Sequence, residues 1–287
     1  MSMMRMNYRS QLLGKYVDIT VVFPTDRMTL PPDRMSNLRS PLPDRELFEW
    51  KPGMKYQTIY LIHGGGDDDS LVYRYTNAER YAQENCVMLV TPNIANSFGV
   101  DTEYGVAYQS FLAKELPLVI QSLFPSSGKR EDNFIMGYAM GGNVAIGTAM
   151  LHPELFGYCV DMSGGIGMTL DPDRLEEELK QDHFQKGFKL YPATFGDGTM
   201  TGSRFDLMAA AKKAMADGNP TPVHMLCGSE EFIRARVEND VRLMREIGYP
   251  MEYTVAPGYG HDFPLWEAYI PIAMRDYLPL KRRPIYE

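Results

Sequence analysis

The segment at residues 137–142 has the residue types of a catalytic turn but lacks its reactive side chain. It reads GYAMGG, follows an apolar run and opens a stretch of small residues. In a nucleophile elbow, a strand turns sharply into a helix and presents the middle residue of G-x-S-x-G for attack on a carbonyl carbon. Ala139 occupies that middle position and has no hydroxyl. Alone, the pattern also fits a glycine-rich turn without chemistry, so the choice between the two depends on the other segments.

A second glycine-rich segment follows an earlier apolar run. Residues 63–66 read HGGG, which matches the H-G-G-G type of oxyanion loop. The backbone N–H groups of residues 64–66, together with that of Met140, are expected to stabilise negative charge that develops on a carbonyl oxygen. A phosphate-binding loop is excluded because no G-K-[ST] follows.

Two segments near the C-terminus contain an acid and a histidine. Residues 227–232 read CGSEEF, and a carboxylate just past the end of a strand can orient an imidazole, so Glu230 and Glu231 are both candidates. Residues 257–263 read PGYGHDF, which places His261 in a glycine-rich loop as a candidate general base. The order of nucleophile position, acid and histidine is that of the α/β-hydrolases, and it favours a catalytic origin for all these segments together.

Short apolar runs separated by helical patterns must position these residues. Runs that are apolar on both faces favour strands of a mostly parallel sheet covered by helices, and each glycine-rich segment follows one of them. We therefore predict a single α/β domain over residues 1–287, with a cap-like insertion at about 168–219. Strands are predicted at 16–23, 58–62, 86–90, 133–136, 158–162, 223–227 and 251–256, with a short edge strand near 47–50. Helices are predicted at 77–84, 108–124 with a kink at Pro117, 143–151, 173–180, 205–216, 238–247 and 264–278.

Composition narrows the function classes further. The 287 residues have a formal net charge of -8, and an acidic surface disfavours nucleic acid as a partner. No apolar segment is long enough to span a membrane, and residues 1–14 do not resemble a signal peptide. Three cysteines, each in an apolar run, are expected to be buried free thiols, which suits the cytoplasm. Residues 67–69 read DDD without calcium-loop spacing, so we expect helix capping or a solvated loop there, and neither a metal nor a cofactor.

With these motifs in hand, the chain resembles the esterase D family, which includes tributyrin, feruloyl and acetyl esterases and S-formylglutathione hydrolases. The resemblance runs from about residue 16 to 278, and it is to the tributyrin-esterase-like and cinnamoyl-esterase-like branch. It implies an α/β-hydrolase fold and hydrolysis of short acyl or aryl esters. The family's serine falls on Ala139, and its histidine falls on His261. Its acid, usually aspartate, falls on Glu231, and its oxyanion amides fall on Gly65 and Met140.

The pocket and the partners are less constrained by the sequence. Gly64, Gly66, Tyr138 and Tyr259 are expected to border a small-molecule ester. An aromatic border would suit a hydroxycinnamoyl or other aryl ester, although most of its candidates could instead pack in the core or under the cap. The candidates are Tyr104, Tyr108, Phe195, Phe205, Tyr259, Phe263 and Trp266. The resemblance also suggests a homo-oligomer.

Three interpretations of the function stay open. The histidine, acid and oxyanion loop all remain, which favours a deliberate replacement of serine, made to trap an uncleaved ligand. The first alternative is a natural pseudoenzyme that binds an ester-like ligand or a partner protein. The second is an acyltransferase with the same fold, because mycolyltransferases belong to this broad family.

Overall fold

The chain folds around an eight-stranded sheet. The computed structural model describes residues 1–25, 51–166, 191–196 and 202–286. The strand order is β1-β2-β5-β4-β6-β7-β8-β9, and the six strands from β5 to β9 along this order are parallel. The strands are β1 Ser2–Arg9, β2 Tyr16–Phe23, β3 Met54–Lys55, β4 Thr58–Ile62, β5 Met88–Pro92, β6 Asn133–Tyr138, β7 Tyr158–Met162, β8 Val223–Gly228, β9 Met251–Ala256 and β10 Ile285–Tyr286. The predicted mostly parallel α/β architecture is confirmed.

Helices cover the sheet between these strands. The α-helices are α1 Leu71–Tyr75, α2 Ala78–Glu84, α3 Tyr108–Ser110, α4 Leu116–Leu123, α5 Met140–Leu151, α6 Tyr191–Phe195, α7 Leu207–Ala216, α8 Arg234–Glu246 and α9 Phe263–Ile272. Two π-helical segments, Phe111–Glu115 and Ala273–Tyr277, and a 3₁₀ turn at Arg130–Asp132 complete them. No helix in the described ranges is long and apolar enough to cross a membrane.

The central strands are apolar on both faces because each face of the sheet has its own core. In β4, Ile59 and Leu61 belong to one hydrophobic cluster, while Tyr60 and Ile62 belong to the other. All four side chains are buried. Alternate residues of a strand point to opposite faces, so a strand covered on both sides must be apolar throughout. This burial is why the short apolar runs were visible in the sequence.

The strand β1 was missed in the sequence. It is an edge strand that pairs antiparallel with β2 along all of its eight residues. Most of its side chains are exposed or half-buried, so it lacks the apolar pattern of the central strands. Cys86 was wrongly placed in a strand. It adopts a left-handed backbone conformation with φ 51°, and β5 begins only at Met88. All three cysteines are buried thiols outside any disulfide, as expected.

The long helical region before β6 is interrupted where the sequence predicted a kink. The π-helical segment Phe111–Glu115 ends immediately before α4, whose first turn contains Pro117. Proline is tolerated in a first turn because its missing N–H would have no partner there. Glu115, the last residue of the π segment, accepts hydrogen bonds from the Tyr8 and Ser10 hydroxyls and from two backbone amides of the β1–β2 turn. The irregular turn therefore anchors the N-terminal hairpin.

Much of the predicted cap-like insertion lies outside the described residues. The predicted helix at 173–180, which is part of this insertion, is outside them. The predicted edge strand near 47–50, which belongs to another part of the chain, is outside them as well. The second predicted helix is found as α7. It begins two residues later than expected because Asp206 is its N-cap, where the carboxylate accepts a hydrogen bond from the Ala209 amide.

Candidate active site

Ala139 occupies the turn between β6 and α5. Its backbone has φ 52° and ψ −125°, a conformation that a residue with a side chain rarely adopts. Its amide donates to the carbonyl of Met162 at the end of β7. The turn is so tight that a Cβ on Gly137 would lie 2.1 Å from the carbonyl oxygen of Gly141. The backbone therefore has the form of a nucleophile elbow, with a methyl group at the reactive position.

A second glycine brings the elbow against the loop after β4. A Cβ on Gly141 would lie 2.1 Å from the carbonyl oxygen of Ile62 and 2.5 Å from that of His63. Only a residue without a side chain allows this approach, which places the start of α5 beside residues 63–66. A Cβ on Gly65 would lie 4.0 Å from the Cβ of Met140. Within the described ranges, the amides of Gly65 and Met140 donate no hydrogen bond.

The loop after β4 is held by its own histidine and by an asparagine. His63 Nε2 accepts a hydrogen bond from the amide of Ile94, so its Nδ1 must donate to the carbonyl of Gly64. Burial lowers the pKa of His63, which keeps the ring in this neutral form. The Gly66 amide donates to Asn96 Oδ1 at 2.7 Å. His63 is thus a structural residue of this loop.

Glu231 and His261 form a hydrogen-bonded pair at the ends of β8 and β9. Glu231 Oε2 lies 2.8 Å from His261 Nδ1. The carboxylate can only accept, so Nδ1 carries the proton and Nε2 remains available to take another. Glu231 Oε1 accepts from the Gly228 amide at 2.7 Å and from the Ser163 hydroxyl at 2.6 Å. Glu230 instead accepts from the hydroxyl of its neighbour Ser229, so Glu231 is the acid that contacts the imidazole.

The order of strands in the sheet brings the loops that carry these residues to one edge. The loops after β4, β6, β7, β8 and β9 contribute the glycine-rich loop, Ala139, Ser163, Glu231 and His261 respectively. Neighbouring parallel strands end on the same side, so these residues meet at the carboxyl edge of the sheet. Trp266 links the elbow to the histidine, because its ring centroid lies 4.6 Å from that of Tyr138 and 5.5 Å from that of His261.

The side chain of Tyr138, which the sequence predicted at the border of a ligand, lies in the core. The residue is completely buried, and its hydroxyl donates to Asp67 Oδ2 at 3.0 Å. Its ring packs edge-on against Phe263 and at a tilt against Trp266. An elbow residue that precedes the exposed position points to the opposite side of the strand, which is why this ring enters the core.

Among the aromatic residues expected around a pocket, most pack inside the protein. Tyr108, Phe195, Phe205 and Trp266 are buried, so the alternative interpretation is correct for these four. Tyr259 is partly buried, with its ring 5.9 Å from that of Tyr269.

In the acidic run at 67–69, Asp68 accepts a hydrogen bond from the amide of Ser70, the N-cap residue of α1, whereas Asp69 departs from the expected solvated loop. Asp69 is completely buried, and it accepts two hydrogen bonds from the guanidinium of Arg5 and one from the hydroxyl of Thr20. The run thus ties the loop after β4 to the N-terminal hairpin. No cluster of potential metal ligands is found in the described part of the chain.

Two residues near the site were missed in the sequence. Phe232 is 83% exposed, and its ring lies 5.1 Å from that of His261. Its position directly after Glu231 was the only available signal. Ser163 had no recognisable signal, because a serine after a strand has many roles and its contact with Glu231 spans 68 positions of sequence.

A buried aspartate supports the loop that contains Ser163. Asp161 accepts hydrogen bonds from the amides of Gly164 and Gly165. Burial raises the pKa of Asp161 to about 7. Asp240 is also buried, and it accepts from the amide of Ile166 in the same loop. Two carboxylates therefore fix the backbone on either side of this turn.

The sheet, the elbow and the acid–histidine pair together define an α/β-hydrolase fold. The chain matches the Esterase family over residues 34–274, and it belongs to that family. It is 24% identical over 274 residues to an acetyl esterase of Caldicellulosiruptor saccharolyticus, covering 94% of this chain and 96% of the relative.

Two solved structures from Staphylococcus aureus are similar over almost their whole length. One is FphF, a fluorophosphonate-binding serine hydrolase, with a TM-score of 0.76 and 26% identity, covering 96% of this chain and 97% of the other. The second is the S-formylglutathione hydrolase FrmB, with a TM-score of 0.73, 25% identity and the same coverage. These relatives support ester hydrolysis as the chemistry of the family.

Proposed function

We propose that the chain carries the binding site and the acid–base pair of a carboxylic-ester hydrolase, with Ala139 where the nucleophilic serine would stand. The observation that carries this proposal is the 2.8 Å hydrogen bond between Glu231 and His261, beside an elbow that keeps its strained φ of 52° at Ala139. A site of this kind binds esters but turns them over scarcely at all.

The chemistry follows for a chain with serine at position 139. His261 Nε2 takes the hydroxyl proton as the serine oxygen attacks the ester carbonyl, and Glu231 stabilises the imidazolium that forms. The amides of Gly65 and Met140 stabilise the oxyanion of the tetrahedral intermediate. His261 then protonates the leaving alcohol, and water hydrolyses the acyl-enzyme by the same route.

Without the serine hydroxyl, the first step of this mechanism, attack on the ester carbonyl, cannot occur. Loss of the nucleophile in a comparable triad lowers kcat by about 10⁶, while the oxyanion hole and binding retain about 10³–10⁴ over water. We therefore expect ester hydrolysis by the chain with Ala139 to be barely detectable, while ligand binding is retained.

The completeness of the remaining site favours a deliberate exchange of serine for alanine. A decaying enzyme is under no constraint to keep a fully buried carboxylate that satisfies His261, Ser163 and the Gly228 amide at once. Sequencing the source gene distinguishes this origin from a natural pseudoenzyme, which would encode alanine at position 139.

The substrate that we propose is a short acyl or aryl ester. The name of the acetyl esterase relative supports a short acyl group. The exposed ring of Phe232, next to the histidine, supports contact with an aromatic group. A panel of p-nitrophenyl acetate, p-nitrophenyl butyrate and methyl ferulate separates the two, and competing alcohols in the assay detect acyl transfer.

The direct test is the variant Ala139→Ser. We expect hydrolysis of p-nitrophenyl acetate to rise by several orders of magnitude, up to about 10⁶, over the alanine form, because restoring the nucleophile reverses the loss given above. The double variant Ala139→Ser with His261→Ala is the control, and it should lose this gain. If the serine variant folds and remains as slow as the alanine form, the proposal is wrong.

A further inference from the structure

Ser163 makes contacts that the proposed chemistry does not yet use. It follows β7 directly, is 1% exposed, and adopts a left-handed backbone conformation with φ 61°. Its hydroxyl donates to Glu231 Oε1 at 2.6 Å, and the indole N–H of Trp266 donates to the same hydroxyl oxygen at 3.3 Å.

The direction of the Ser163 hydroxyl is fixed by these two contacts. An indole nitrogen can only donate, so the Ser163 oxygen must accept from Trp266. The single hydroxyl hydrogen is then left to point at the carboxylate. Glu231 Oε1 therefore receives two donors, the Ser163 hydroxyl and the Gly228 amide, while Oε2 faces His261.

The backbone conformation of Ser163 indicates that its hydroxyl matters. A positive φ suits glycine and is unfavourable for a residue with a Cβ. The turn is nevertheless held in place by the Ser163 amide, which donates to the carbonyl of Leu226, and by Asp161, which accepts from the next two amides. Glycine would fit this backbone better, yet it would not supply a donor to Glu231.

The acid is a glutamate, which makes an additional restraint useful. Glutamate has one more rotatable side-chain bond than aspartate, so holding its carboxylate in one orientation requires more contacts. The contacts from β7 and β8 meet this need, because they approach Oε1 from two different strands.

We propose that Ser163, with its hydroxyl oriented by Trp266, is a positioning residue that fixes the Glu231 carboxylate in the orientation in which it holds His261. The catalytic consequence rests on the proposed function, but the geometry does not. The pair can therefore be followed in the chain as it exists, with alanine at position 139.

The first test observes the hydrogen bond directly. A histidine Nδ1 proton bound to a carboxylate gives a downfield ¹H NMR resonance, and Glu231→Gln identifies that of His261 by its loss or displacement. We expect Ser163→Gly and Ser163→Ala to shift and broaden this resonance alike, because both lack the hydroxyl. Trp266→Phe, which removes the indole N–H, should move it in the same direction.

Two controls separate positioning from stability. Glycine relieves the positive φ at position 163 whereas alanine retains it, so the glycine variant should be the more stable of the two while their spectra agree. Ser126→Ala removes an equally buried hydroxyl, bonded to Thr58 at the other end of β4, and should leave the resonance unchanged. A resonance that is unaffected by Ser163→Gly, or that follows stability instead of the hydroxyl, overturns the proposal.

The second test measures turnover in the Ala139→Ser background. We expect Ser163→Gly to lower kcat about tenfold with KM nearly unchanged, because the acid and not the substrate site is disturbed. A raised KM with unchanged kcat contradicts positioning. If Ala139→Ser is inactive although the NMR effects occur, the proposed function fails and the positioning role stands. If Ala139→Ser is active and Ser163→Gly alters neither the resonance nor kcat, the positioning role fails instead.

Discussion

At the scale of single residues, the candidate site lacks only the hydroxyl oxygen of the serine that we propose for position 139. Glu231 uses both carboxylate oxygens, His261 is held through Nδ1, and Ala139 keeps the elbow conformation. The glycines around the elbow are required by contact distances and not by flexibility. Phe232 is an exposed aromatic side chain beside His261.

The position of Phe232 predicts an effect on substrate binding. In the Ala139→Ser background, Phe232→Ala should raise KM for methyl ferulate by about three- to tenfold, in line with the loss of one aromatic contact, and leave kcat nearly unchanged. Steady-state kinetics measure this split. Tyr16→Ala removes an exposed tyrosine at the start of β2 and serves as the control. Equal KM values for both variants would show that Phe232 does not contact the ester.

The close approach at Gly141 predicts a loss of stability. A Cβ there would lie 2.1 Å from the Ile62 carbonyl oxygen, so Gly141→Ala must push the elbow away from the loop after β4. We expect a loss of about 1–3 kcal/mol in the free energy of unfolding, measured with urea. Gly128→Ala is the control, since its nearest neighbour would be 3.7 Å away. A destabilisation no larger than that of the control contradicts this account of the elbow.

At the scale of elements, strand ends and short loops act as units. The turn after β7 is held by Asp161 and Asp240, and it delivers Ser163 to the acid on the neighbouring strand. The loop after β4 is held by Asp69, whose partner Arg5 comes from the edge strand β1. A strand far from the candidate site thus helps to position the glycine-rich loop after β4.

The raised pKa of Asp161 predicts a dependence of stability on pH. Its pKa in the folded chain is about 7, above the value of about 3.9 expected in the unfolded chain. The folded state therefore binds more protons between these two pH values. The contribution of Asp161 to the free energy of unfolding is complete below about pH 4 and is lost as the pH rises towards 7. Asp161→Asn should reduce this fall in the free energy of unfolding, which urea unfolding measures at pH 4.5, 5.5 and 6.5. The same slope in both proteins would assign the effect to other groups.

At the scale of the whole molecule, the strand order is what assembles the site. Five neighbouring parallel strands end at one edge, and each contributes a different part. The antiparallel strands β1 and β2 extend the sheet on the other side, where they carry Arg5 to Asp69 and receive Glu115 from the helical region before β6. Exchanging Ala139 for serine adds one atom at a site that already has this geometry, so we expect the fold to be unaffected.

The sequence by itself determined the parts whose signals are local. The apolar runs of β4 and β7 and the glycines of the elbow predicted the sheet and the position of Ala139, because strand burial and tight turns constrain adjacent residues. Local order also predicted a carboxylate and a histidine in successive loops, but it left Glu230 and Glu231 both open until the resemblance favoured one.

Tertiary structure decided which of these residues touch. Ser163 meets Trp266 across 103 positions and Glu231 across 68, and Asp69 meets Arg5 across 64. Such contacts depend on which strands become neighbours, and one sequence contains no local pattern that encodes them. Burial likewise placed Tyr138 in the core and left Phe232 exposed, although both are aromatic residues next to a predicted site residue. The reason is geometric, because a side chain's environment is set by the face of the element that carries it and by what packs against that face.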